Sequence, residues 1–530
     1  LQNGYTKNIM KSVIRLGTDG GQVNLYGDEN VGLFFGSKMG GYDPKSWEKS
    51  HRDDEFGIRK YIRKASFIGI YQGEIELHAK IGEKTSSTGK DQVNGVGNIY
   101  ENTPNGKKYD PKFVEGAVGI YSESGQREGI DPIRDLGVPI NGYGGKGDYE
   151  HINSLNNDKI HNLQVGKVNI KFGSKSKNGF MFISKLGTVM DIAKSGTTTD
   201  YISGLSTEIT DGMNGENTTE DDASTGTTIA YAEGTWDQGK HQLGSTEQYL
   251  KDNNNKVAGS TAKALDGKGS EINIFTPKVT LASKEGIAYM GDNKGIINVG
   301  TTANKVKTTA VNHRSIIGFA RDEGTVTING NVEAKDAKAK TNKWQNIAGL
   351  AVKTKTSTKG GTVTINGDVD IHGMAGFADG TGSVVNLKGT DNTVSTGTDG
   401  ALAAKNGGVV NFGGGKITHK NNGTVAGKND HESSVPFYAD NNSKINFEGD
   451  GTNPSRTTIE MADGVLMSEE ASAYNGENNG AAKYNGMKNV TVKLVGDNVI
   501  LKTSISKDIT WTGAAGLVAN LKSDMKLGGL

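Results

Sequence analysis

Residues Asp399 to Gly414 read DGALAAKNGGVVNFGG, sixteen residues without proline or cysteine and with Phe412 as the only aromatic. What a chain gains from sixteen residues so poor in bulk is explained by their relatives elsewhere in the sequence. An apolar, Asn or Thr, apolar triplet beside glycine recurs in QVNLYG (Asn24), KVNIKFG (Asn169), EINIF (Asn273), IINVG (Asn298), TVTING (Thr327 and again Thr364), VVNLKG (Asn386), VVNFGG (Asn411) and KINFEG (Asn446). A second element, glycine then apolar then small or aromatic then polar, precedes most copies, as in VGLFFGS, IGIYQG, VGIYSES, GIAYMGD, IGFARDEG, AGLAVKT, AGFADG and GALAAKNGG. From Asn273 onward the triplet centres are 25, 29, 37, 22, 25 and 35 residues apart. A spacing that returns to a floor and is otherwise only lengthened is that of a coil tolerating loop insertions.

Each unit holds two or three strands of three to five residues with period-2 alternation and no helix-period segment, which excludes βαβ units and helical repeats. Short strands stacked on their equivalents one turn later form parallel sheets, with the coil as the crossover. The expected fold is all-β, a right-handed parallel β-helix of about twelve turns, about 58 Å long at about 4.8 Å per rung. Residues 1–270 are expected to be coils interrupted by insertions at about 42–67, 84–115, 124–165, 191–227 and 233–268, and 271–530 a regular β-helix.

Alternation assigns the side chains. Val410 and Phe412 should point into the coil and Asn411 outward, where it either stacks on Asn386 in an amide ladder or is simply a solvated residue suited to nearby turns. Ala320, Ala351, Ala378 and Ala403 should share one interior register. Gly407, Gly408, Gly413 and Gly414 should turn the corners.

The 530 residues carry 60 Lys and Arg against 60 Asp and Glu, which removes the electrostatic reason to expect nucleic acid or an anionic membrane as partner. The 77 glycines, with only 8 prolines, read as turn residues rather than linker, and the absence of cysteine excludes disulfides and thiolate chemistry. That absence also suits export through an oxidising periplasm. Because the chain starts LQNGYTKNIM, without a basic and apolar leader, and ends MKLGGL, it is expected to be a mature piece of something larger.

Function in a solenoid sits where the coil is interrupted. The segment 42–67 concentrates charge and aromatics: Trp47, Arg52, Asp53, Asp54 and Tyr61 form a candidate ligand-binding patch, or else a self-paired surface loop. Tyr143 and Tyr149, in NGYGGKGDYEH, are further candidates, since exposed tyrosines supply contact area at low entropic cost, or else belong to a turn-rich glycine loop that binds nothing. The acidic run Glu220, Asp221, Asp222 has the oxygen ligands of calcium, but its spacing matches neither a calcium-binding helix–loop motif nor a glycine–aspartate repeat. No metal and no cofactor is expected. H-E-x-x-H, G-x-S-x-G, G-D-S-G, the P-loop and the Rossmann fingerprint are all absent. Asp370, Asp379, Asp391, Asp399 and Asp440 are expected in turns at differing registers, so no catalytic carboxylate pair is singled out.

The stretches AGLAVKTKTSTKGGTVTINGDVDIHG, AGFADGTGSVVNLKGTDNTV and GALAAKNGGVVNFGGG resemble the passenger region of type V autotransporters. The style of repeat is similar to that of the giant fusobacterial outer-membrane adhesins, the RadD-like group, over roughly residues 270 to 470. The resemblance implies display at the bacterial cell surface, a C-terminal translocator barrel outside this chain as the link to the outer membrane, and adhesion to a bacterial or host-cell surface protein or glycan. It carries over no binding residues, because it lies in the coils. A monomeric adhesin without catalytic activity is therefore expected, with a carbohydrate-active β-helix enzyme and a non-binding stalk as the alternatives.

Overall fold

The computed structural model describes residues 2–3, 22–26, 31–36, 67–78, 84–85, 107–108, 118–123, 162–172, 178–185, 189–192, 209–210, 225–235, 269–336, 345–397, 400–420, 435–440, 442–449, 456–466, 484–501, 510–513 and 520–521. Among these the regular structure is strand, apart from one 3₁₀ turn at Met487–Asn489. The chain divides into two compact units. The first comprises Leu1–Gly215, Thr228–Thr276 and Asn293–Ile297, and the second Glu216–Thr227, Pro277–Asp292 and Asn298–Leu530.

The second unit is a parallel β-helix whose strands stack in three sheets, one strand of each per turn. One sheet, the asparagine face, contains Thr325–Ile328, Thr362–Ile365, Val384–Leu387, Val409–Phe412 and Lys444–Phe447, paired in parallel and in uninterrupted register. The ion-pair face contains Lys278–Leu281, Lys307–Ala310, Val332–Ala334, the first residues of Val369–Asp379, Asn392–Thr396, Gly415–His419 and Thr457–Met461. The third, the aromatic face, contains Ile287–Asp292, Ile316–Arg321, Asn346–Val352, the last residues of Val369–Asp379, Leu402–Lys405 and Phe437–Ala439.

The first unit is built likewise from parallel strands. Gln2–Asn3, Val31–Gly36, Val118–Glu123, Phe180–Lys185 and Thr228–Glu233 stack in one sheet. Gln22–Tyr26, Phe67–His78, Asn162–Phe172, Val189–Ile192 and Glu271–Ile274 stack in another. Several expected insertions carry strands: residues 162–165 begin Asn162–Phe172, and Lys84–Thr85 pairs antiparallel with Lys107–Lys108. IGIYQG, grouped by its sequence with VGIYSES, lies instead in the sheet of the triplets, opposite Leu163 to Val168. Asn24 stacks in register with Glu76 and Lys171, and Asn169 with Glu74, so the triplets of this unit do not form one asparagine column.

The core of the second unit follows from period-2 alternation. Val326, Val363, Val385 and Val410 form one interior column of the asparagine face and Ile328, Ile365, Leu387 and Phe412 the other, all essentially without exposure. Opposite them, the aromatic face sends in Tyr289, Gly318, Gly349, Gly376, Leu402 and Phe437, which are successive partners in register. The glycines are forced by these valines: a Cβ on Gly349 would lie 2.8 Å from Cγ1 of Val385, and one on Gly318 2.9 Å from Cγ1 of Val363. Where the glycines end, rings fill the space, with Phe437 and Phe447 centroids 4.9 Å apart. At the other end the buried Tyr289 keeps its hydroxyl satisfied by Thr308 Oγ1 at 2.8 Å, and burial raises its pKa so that the phenol stays neutral.

The interior alanine column differs from expectation by one residue. Ala320, Ala351 and Ala378 stack in register, but their partner on the next rung is Ala404, followed by Ala439. Ala403 stacks between Phe377 and Tyr438 in the outward column, where it is itself buried. The cause is Leu402, which occupies the position that glycine holds in the three rungs before it.

The expected corners are present. Gly407 has φ +87° and Gly414 φ +133°. Gly408 and Gly413 pass so near the preceding rung that a Cβ would meet the carbonyl oxygens of Ala378 at 2.3 Å and Gly389 at 2.5 Å. Buried Asn392, which sequence reasoning did not single out, pins a corner: its amide donates to the carbonyls of Gly389 and Gly414, both at 2.7 Å, and accepts from Val369 N–H at 2.8 Å. Amide-rich corners would otherwise have read as turn composition.

Overpacking a close-packed interior costs about 1–3 kcal/mol. Gly349→Ala is expected to lower the unfolding free energy by that amount in urea titrations. Adding Val385→Ala should give a double variant more stable than the sum of the two single effects, because the second change removes the clash created by the first.

Candidate functional site

The seven candidate residues Trp47, Arg52, Asp53, Asp54, Tyr61, Tyr143 and Tyr149 lie outside the described residues, as do Glu220, Asp221, Asp222 and Asp399. Alternation places every second residue of each strand of the second unit outside, and the three faces carry different chemistry there.

The asparagine face is an amide ladder. Asn386 donates to Thr364 Oγ1 at 3.2 Å, Asn411 to Asn386 Oδ1 at 2.7 Å, Asn446 to Asn411 Oδ1 at 2.6 Å and Asn485 to Asn446 Oδ1 at 2.7 Å. The ladder alternative for Asn411 is thus the one adopted: Val410 and Phe412 are buried and Asn411 points outward onto Asn386. Each inner amide uses one N–H and its oxygen on its neighbours, so the ladder holds rungs together and offers a ligand little beyond what solvent already meets. A second short ladder runs at the following turn, from Asn366 to Asn329 at 2.7 Å and on to the Gly300 carbonyl at 3.1 Å.

The ion-pair face brings together side chains that the sequence had left apart. Asp370 is in a strand rather than a turn, directly opposite Glu333 on the adjacent rung. Lys307 lies 2.6 Å from Glu333, and Lys335 pairs with Asp370. Two carboxylates beside two ammonium groups invite a catalytic reading, but a general acid needs a raised pKa. Here the Lys307 ammonium, hydrogen-bonded to Glu333, holds that carboxyl below its usual range, and Asp370 holds Lys335 above its own. These are the directions of ion pairs. The pairing recurs further along, where Glu460 meets Lys416 at 3.0 Å and Lys493 at 3.4 Å. Where the ion-pair face gives way to 337–344, buried His313 holds Asp336 Oδ2 at 2.9 Å through Nδ1, and His372 Nδ1 lies 3.0 Å from the Asp336 carbonyl. Among the described residues no group of three or more His, Asp or Glu is placed to hold a metal ion.

The aromatic face is the exception. Its outward residues are apolar on successive rungs: Ile287, Ile316, Ile347 and Met374 stack in one column, and Met290, Phe319, Leu350, Phe377, Ala403 and Tyr438 in the next. Most are half-buried, as side chains between sheet neighbours should be, and Tyr438 is 38 % exposed. Lys405 arches across the small Ala403, its Nζ 5.7 Å from the Phe377 ring centre and 5.1 Å from that of Tyr438, within reach of cation–π attraction to both. Two residues beyond the rings the face turns polar. Arg321 Nε donates to Asp292 Oδ1 at 2.9 Å, and Asp379 accepts from the Asn406 amide at 2.6 Å. An outward apolar stripe with a polar margin, on a scaffold whose other two faces are covered by amide ladders and ion pairs, is what a contact surface requires. Sequence reasoning passed over it because each apolar residue read as core.

In the first unit the equivalent sheet also carries rings outside: Phe180 and Tyr231 have centroids 5.6 Å apart, and Lys185 sits 5.5 Å from the Tyr231 ring centre while pairing with Glu233 at 2.6 Å.

The chain matches no known protein family, and neither a curated protein nor a solved structure matches it.

Because Lys416 and Lys493 lower the pKa of Glu460 in the folded state, the pairing stabilises the fold above the unfolded carboxyl value of about 4.3 and is lost as pH falls through the lower folded value. Urea midpoints measured at pH 7 and pH 3 should differ more for the native chain than for Glu460→Gln. The difference between the two should be less than about 1 kcal/mol, since the lysines are half exposed. Asn411→Ala, which removes two hydrogen bonds of the amide ladder, should cost about 1–2 kcal/mol independently of pH.

Proposed function

We propose that this chain is part of a bacterial cell-surface adhesin, a β-helical scaffold that presents contact surfaces to a protein or glycan on another bacterium or a host cell. The observation that carries the reading is the aromatic face: a stripe of outward apolar side chains, continuous over several rungs and margined by charge, on an otherwise polar solenoid. Solenoids offer long surfaces of fixed geometry, and rigid rings supply contact area with little entropy to lose. The paired state of Glu333 and Asp370 favours a binding scaffold over a hydrolase or lyase. The resemblance of the repeats to autotransporter passengers supports a surface location, reached through a translocator that belongs to the rest of such a protein. The charged segment after Gly41, with Trp47, Arg52, Asp53, Asp54 and Tyr61, and the tyrosine-rich segment with Tyr143 and Tyr149 are the proposed second contact region.

Beads coated with the chain are expected to adhere to bacterial or epithelial cells. Deleting residues 42–66, which stops short of the strand Phe67–His78, should reduce adhesion at least tenfold while the β-sheet circular dichroism persists. Undiminished adhesion would move the contact to the aromatic face, and no adhesion by the intact chain to any cell type would defeat the proposal.

A further inference from the structure

The rings of the aromatic face do not fall on successive rungs. In the column Phe319, Leu350, Phe377, Ala403, Tyr438 each residue is the register partner of the next, so an aromatic ring stands on every second rung with an aliphatic residue between. At about 4.8 Å per rung the rings recur every 9.6 Å or so, about the length of a disaccharide in an extended polysaccharide. In a two-fold, extended β-linked chain the same face of the sugar returns once per disaccharide. Such a chain laid along the column would therefore present the C–H face of every second sugar to a ring.

The polar margin flanks every ring and continues onto intervening rungs through Asp292 and Lys405. Arg321 follows Phe319 by two residues, Asp379 follows Phe377 and Asp440 follows Tyr438, which puts one charged hydrogen-bonding side chain beside each ring. Lys405 lies over Ala403, between the second ring and the third, as a donor to the sugar between the two stacked ones. These four side chains carry two positive and two negative charges, and Asp292 balances Arg321 directly. A strongly anionic polymer would gain nothing net from such a margin, whereas sugar hydroxyls, which both donate and accept, meet partners of both kinds. We propose that the column Phe319, Phe377, Tyr438 is a track for an extended, uncharged, β-linked polysaccharide, stacked ring by ring and oriented by Arg321, Asp379, Lys405 and Asp440. The inference rests on the adhesin reading and names the ligand class of its aromatic face.

The test is co-sedimentation of the full 530-residue chain with suspensions of amorphous cellulose and of chitin, with amylose, an α-linked coiled chain, and heparin, a strongly anionic one, as comparisons. The chain should be retained on cellulose or chitin, with little sensitivity to salt, and should ignore amylose and heparin. Phe377→Leu and Tyr438→Leu keep apolar bulk on the surface and remove only the ring. Each is expected to weaken retention on the order of three- to tenfold, with unchanged circular dichroism and thermal midpoint. Leu350→Ala, between two rings, should change retention less than twofold. Retention on neither polysaccharide, or retention equal in the native chain and both leucine variants, would overturn the track. So would a leucine variant that alters only the sedimentation coefficient of the free chain, since the stripe would then be an interface between copies. The native chain, run in parallel in the bead adhesion assay, separates the two claims. Cell adhesion without polysaccharide retention leaves the adhesin standing and removes the track, whereas loss of both removes both.

Discussion

The interaction on which the second unit depends is the parallel backbone hydrogen bonding of each strand to its equivalent one turn later. It sets the rung spacing at about 4.8 Å and fixes the register, and everything else follows as columns. A residue in such a scaffold is judged by what stands above and below it. Inside, valines of one face reach across to glycines of another. At the corners, glycine backbones pass so near the previous turn that no Cβ fits. Outside, amides bond to amides and lysines to carboxylates because the rung spacing brings like positions within hydrogen-bonding distance.

The three faces manage their outward columns differently, and the proposed contact surface lies on the one that differs most. Amide and ion-pair ladders use most of their polar atoms on one another, so they hold rungs together and leave little for a partner. The aromatic face fills its outward positions with apolar side chains instead, which stack rung on rung and still present apolar surface to solvent. Lys405 makes the contrast local: its rung inverts the usual distribution of bulk, with Leu402 inside where neighbouring rungs hold glycine and Ala403 outside where they hold Phe377 and Tyr438. The lysine stem covers the resulting step. A structural role and a place beside a ligand are compatible here, because cation–π contact holds the ammonium on the surface without burying it.

Much of the fold was legible in DGALAAKNGGVVNFGG and its relatives. The alternation of Val410, Asn411 and Phe412 assigned inside and outside correctly, the glycines marked the corners, and Asn411 does stack on Asn386. Less was legible in the first unit, where Asn24 and Asn169 belong to the triplet pattern but stack in different registers, and where IGIYQG looks like one face and lies in another. Short apolar strings carry the period of a strand but not the identity of the sheet. The candidate residues from Trp47 to Tyr149 rest on composition alone, whereas the aromatic face was invisible to composition because Phe319, Leu350 and Phe377 look like core until the alternation is tied to a particular rung.

By itself the sequence determined that this is a repeating all-β coil, and which side of each strand is apolar, because both follow from local periodicity within four or five residues. Only the tertiary structure decided which residue of one turn lies on which residue of the next. Partners in a column are separated by some 22 to 37 residues of chain, so the intervening turns differ widely in length. The stacking puts Ala404 in the interior column where Ala403 was expected, and leaves Ala403 in the outward one. The amide ladder, the ion pairs opposite Glu333 and Asp370, and the rings on alternate rungs are all products of that stacking.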